Sequence, residues 1–76
     1  MIKIPVYLRD MYDAKHLVQA ASGCQKDVEL ICGRYIVDAK SLLGLMNLGF
    51  DHEIELSVYD EDCDDLWKEL DKFVAA

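Results

Sequence analysis

The side chains of this sequence that could do chemistry are two histidines, three cysteines, a serine placed just before an apolar run, and fifteen carboxylates. Each would need companions. His16 lies one helical position before Leu17, away from the apolar stripe of its segment, and His52 sits in a polar turn between Asp51 and Glu53. Both read as exposed structural histidines, since a ligand or base needs partners at matching spacing. Cys24, Cys32 and Cys63 are odd in number and widely spaced, which suits neither a disulfide framework nor a four-ligand zinc site, so unpaired thiols are expected. The acidic run Asp60 to Asp65 lacks the glycine and the alternating oxygen ligands of a calcium loop, and its charge complements a helix N-terminus instead. No metal site, no cofactor and no Ser/His/Asp or Cys/His grouping can be read along the chain. An enzyme is therefore the least expected class.

Ser41 is the best-placed polar group. It stands immediately before the apolar segment Leu42 to Leu48, where its hydroxyl can cap a helix start. A helix of seven residues cannot hide all its large side chains on one side, so Leu42 and Met46, four apart, are expected at the surface, and with Leu43 they form a candidate binding patch.

The elements that would position these groups follow from periodicity. Ile2, Ile4, Val6 and Leu8 alternate with polar residues as in a half-buried strand, and Pro5 puts that strand at a sheet edge or a bulge. Ala14, Leu17, Val18 and Ala21 keep helical spacing, with Asp10 or Asp13 as cap and Ser22-Gly23 as the end. Val28–Cys32 and Tyr35–Val37 make a strand pair joined by Gly33-Arg34. Gly49 stops the second helix, Glu53 to Tyr59 alternates again, and a last helix buries Leu66, Leu70, Phe73 and Val74. The order strand, helix, strand, strand, helix, strand, helix predicts an α+β layer pair, one sheet face covered by helices and the other facing water. A core is expected from Ala14, Leu17, Val18, Val28, Leu30, Leu45, Leu56, Leu66, Leu70 and Phe73.

A length of 76 residues allows one domain with a modest core. A formal charge of −7 argues against nucleic acid and anionic lipid as partners. No apolar run approaches a membrane span and no signal peptide precedes the first strand, so a cytoplasmic location is expected.

The segment Val37-Asp38-Ala39-Lys40-Ser41-Leu42-Leu43-Gly44-Leu45-Met46-Asn47-Leu48-Gly49 resembles the most recognisable stretch of the HPr family, the histidine phosphocarriers of the bacterial sugar phosphotransferase system. The resemblance runs from about Asp13 to the C-terminus. It implies a four-stranded antiparallel sheet with three helices on one face, forming a single domain over residues 1–76. It also implies that Leu42, Leu43 and Met46 contact partner proteins and that Ser41 is a regulatory phosphorylation candidate, as the matching serine is in low-GC Gram-positive members.

The family presents a histidine, closely followed by an arginine and a proline, where the first helix begins. Here Leu8-Arg9-Asp10-Met11-Tyr12-Asp13 fills that join, with the phosphoacceptor position on or near Asp10, the arginine position on Tyr12 and the proline position on Asp13. A carrier needs an imidazole with a free ring nitrogen, so the expectation is a regulatory or interaction paralogue and not a phosphoryl carrier. Its expected partners are proteins: phosphotransferase-system components, a phosphocarrier kinase or a catabolite regulator. The alternative is a repurposed structural or self-associating module. A monomer or weak homodimer fits either.

Overall fold

The structure is a computed structural model that describes residues 1–59 and 62–73. Its elements run β1 (Ile2–Tyr7), α1 (Met11–Ser22), β2 (Val28–Cys32), β3 (Tyr35–Asp38), α2 (Leu42–Leu48), β4 (Glu53–Val58) and α3 (Asp64–Leu70). The sheet is antiparallel throughout, in the order β1-β4-β2-β3. β1 is an edge strand, where the missing N–H of Pro5 interrupts no ladder on its far side.

Alternation decides which sheet face is buried. Val6, Ile54, Leu56, Val58, Val28 and Leu30 point inward and are almost wholly buried beneath the helices. Lys3, Glu53, Glu55 and Glu29 carry the other parity. Lys3 Nζ lies 3.5 Å from Glu55 Oε1 on the open face. The helices supply Ala14, Leu17, Ala20, Ala21, Leu45, Leu66, Leu70 and Phe73 to the same core. The expected core residues are buried except Val18, which packs only partly against it. Asp60, Glu61 and Val74, assigned from sequence to the last helix, lie outside the described residues. The helix begins instead after Cys63, with Asp64 and Asp65 in its first turn.

Two glycines fit their places for physical reasons. Gly33 has φ of +59° at the first central position of the β2–β3 turn, as a primed hairpin turn requires. Gly44 brings α2 so close to β3 that a Cβ there would lie 3.2 Å from the Cβ of Val37.

The expectation of unpaired thiols fails at two of the three cysteines. Cys24 and Cys63 form a disulfide across a sequence separation of 39, with Cα atoms 5.2 Å apart, and it ties the end of α1 to the start of α3. Pairing depends on where helix ends meet in space, which spacing along the chain does not encode.

The loop before β4 is strapped to the end of β1. Asp51, at φ of +71°, donates its N–H to Leu8 O at 2.8 Å, and Tyr7 Oη donates to Asp51 Oδ1 at 2.6 Å. On the open face Tyr59 Oη donates to Glu29 Oε1 at 2.7 Å. The hydrogen bond to the carboxylate, then desolvation and the nearby negative charge, raise each phenol above its ordinary pKa. A raised folded-state pKa means that this stabilisation is present below the unfolded phenol pKa and is lost as pH climbs through the folded one. Spectrophotometric titration should therefore show Tyr7 and Tyr59 ionising later in the folded chain than in denaturant. Asp51→Asn should remove the shift at Tyr7. Coincident folded and unfolded titration curves would contradict this.

Candidate functional site

Two places matter: the start of α1 and the start of α2. Asp10 is the N-cap of α1 in extended conformation, and its carboxylate accepts from Asp13 N at 3.1 Å. Asp13 reaches back and accepts from Arg9 N at 3.0 Å, while Arg9 Nε approaches the same oxygen at 3.4 Å. Tyr12 stands 69% exposed, and its ring lies 4.6 Å from that of His16 one turn on. The segment is thus an acidic helix cap with its neighbouring guanidinium already paired. No histidine stands in it.

The start of α2 is held from three directions. Ala39, fully buried, donates its N–H to Val28 O at 2.8 Å. Asp38 accepts from Lys40 N at 2.9 Å through its side chain and from Ser41 N at 3.0 Å through its carbonyl. Lys40 Nζ crosses to Cys24 O at 2.9 Å and so anchors this loop to the end of α1. Ser41 caps the helix, its Oγ accepting from Gly44 N at 3.3 Å. Ser41→Ala should therefore cost about 0.5–2 kcal/mol, read as a lower urea midpoint. An unchanged midpoint would show that the cap carries nothing.

On α2, Leu45 faces the core at 1% exposure while Leu43 and Met46 are 71% and 45% exposed. Leu42, expected at the surface, packs partly against the core and lines a shallow apolar groove between α1 and α2. Val18, Tyr12, Lys15, His16, Gln19 and Ser22 line the rest of it. The three patch residues therefore divide into Leu42, which lines the groove, and Leu43 and Met46, which are exposed on the helix and do not line it.

Sequence reasoning missed one constellation. Cys32 at the end of β2 and His52 before β4 face each other, with Sγ 3.9 Å from Nδ1. His52 was expected as an exposed turn residue, yet it is half-buried and bonded through Nε2 to Leu48 O at 2.9 Å. The only available signal was the antiparallel pairing of β2 with β4, which sets the end of one strand beside the start of the other. Among the described residues no group of three His, Cys, Asp or Glu side chains converges as a metal site would require, and no helix is long and apolar enough to cross a membrane.

The family model described as the PTS HPr component phosphorylation site matches residues 11–76. The chain belongs to the HPr family. A crystal structure of HPr-C-His from Thermoanaerobacter tengcongensis superposes with a TM-score of 0.74 at 20% identity, covering 95% of this chain and 93% of that one. The HPr fold, a four-stranded antiparallel sheet with three helices, is thus common to both. No curated protein sequence matches this chain. The HPr match starts at Met11, one residue after the Asp10 cap.

Proposed function

We propose that this HPr-family protein does not carry phosphate but binds other proteins through α2 and the adjoining face of α1. The observation that carries this reading is the exposure of Leu43 and Met46, 71% and 45%, on a helix whose Leu42 lines an apolar groove. Apolar side chains so grouped on a surface mark contact sites. The start of α1 supports the negative half. A phosphoryl group there would need an imidazole and a stabilising cation, whereas Asp10 is committed as a cap and Asp13 beside it would repel a dianion. His16 is six residues further along the helix, about 9 Å from the cap along the axis, too far for the amides of the first turn to hold its phosphate.

In this reading the domain spans residues 1–76, is not an enzyme and works in the cytoplasm. Ser41 is a site where a phosphocarrier kinase would add charge at the edge of the patch, and the partners are phosphotransferase-system components or a catabolite regulator. A second reading, self-association, is favoured by Tyr35 and Ile36, 71% and 61% exposed on the edge strand β3.

Capture from native cell extract tests the proposal. Leu43→Ala and Met46→Ala should keep the urea midpoint of the parent and lose the captured protein, and Ser41→Asp should shift its affinity. A partner held equally by all three variants would defeat the proposal, and a dimer with no other partner would establish the second reading.

A further inference from the structure

The disulfide between Cys24 and Cys63 leaves Cys32 as the one free thiol of the chain, and that thiol has a base beside it. The register that pairs Ile31 with Glu55 sets the end of β2 next to the start of β4, so His52 comes within 3.9 Å of Cys32 Sγ through Nδ1. The ring is oriented by a third group. Nε2 lies 2.9 Å from the carbonyl of Leu48, closer than the 3.3 Å between Nδ1 and the carbonyl of Glu53, which favours the neutral tautomer with its proton on Nε2 and the Nδ1 lone pair toward the sulfur. The turn that carries the ring is pinned by the bonds from Asp51 N to Leu8 O and from Tyr7 Oη to Asp51. A second acceptor, the carbonyl of Glu53, lies 3.3 Å from Nδ1, so a ring that has taken the thiol proton finds an acceptor for each of its two N–H groups. Nucleophile, base and orienting group thus stand in the relation that activates thiols elsewhere. Cys32 is half-buried, not sealed.

We propose that Cys32 and His52 form a thiol-modification site whose substrates are low-molecular-weight disulfides. The sulfur of Cys32 attacks one sulfur of the small disulfide while Nδ1 of His52 takes its proton. The S–S bond of the reagent breaks, a mixed disulfide forms on Cys32, and the leaving thiolate takes the proton back from the ring, so one thiol is consumed and one released. The Cys24–Cys63 bond stays oxidised, and the site lies at the opposite end of β2 from Cys24.

Oxidised glutathione is the probe, added to the unreduced full-length protein near neutral pH and followed by intact mass and peptide mapping. One adduct should form, on Cys32, at least as fast as on a peptide spanning residues 27–37, which has the same thiol without the histidine. His52→Asn should slow it about threefold to tenfold, because the group that takes the thiol proton during the attack is gone. Added imidazole should restore part of the rate in His52→Ala, which a purely structural role for the ring would not allow. Circular dichroism confirms folding of both variants, and if either is unfolded the comparison of parent with peptide decides. A parent slower than the peptide, a His52→Asn rate equal to the parent's, or an adduct elsewhere would overturn the proposal.

Discussion

Reduction of the Cys24–Cys63 bond is expected to lower the unfolding free energy by about 3–4 kcal/mol, because a link across 39 residues removes much of the freedom of the unfolded chain. A domain of this length has roughly 4–11 kcal/mol in all, so the bond supplies about a quarter or more of it. α3 is a helix of seven residues, and the disulfide holds its first turn against the end of α1. Urea unfolding with and without a dithiol reductant, and of Cys24→Ser, reads it directly. Equal midpoints in both redox states, or three alkylatable thiols in the unreduced protein, would contradict it.

The other large loss is expected at the opposite end of the same helix. Leu70 is 4% exposed, and with Leu66 and Phe73 it holds α3 to the core. Leu70→Ala should cost about 2–5 kcal/mol through lost burial and the cavity left behind. A loss below roughly 1 kcal/mol would show that the helix is not seated there. The two changes remove both anchors of one short element, so their effects should not add. In reduced protein Leu70→Ala should leave little cooperative unfolding transition to measure.

Local rules made most of the fold legible. The alternation of Ile54, Leu56 and Val58 against Glu53, Glu55 and Ser57 gave both the strand and its buried face, and Ser41 and Gly49 bounded α2 as the structure has it. The motif around Ser41 was legible for the same reason, since a cap and its helix are neighbours in sequence. What stayed hidden depends on tertiary meetings. The disulfide needs α1 and α3 to converge, and the Cys32–His52 pair needs the register of β2 on β4. Leu42, expected at the surface because a helix of seven residues cannot hide all its apolar side chains, is partly buried, since that argument does not say how closely α2 approaches α1. α3 starts later than its acidic prelude suggested, because carboxylates that favour a helix N-terminus do not fix its first residue.

Incubation of the protein with phosphoenolpyruvate and the general phosphotransferase enzyme, followed by intact mass at neutral pH, tests most directly whether this HPr-family member carries phosphate. The expected result is an unchanged mass, because Asp10 caps α1, Asp13 is paired with Arg9, and no imidazole stands at the helix start. A stoichiometric phosphate, acid-labile on His16 or hydroxylamine-labile on Asp10, would contradict that result and return the protein to the carriers.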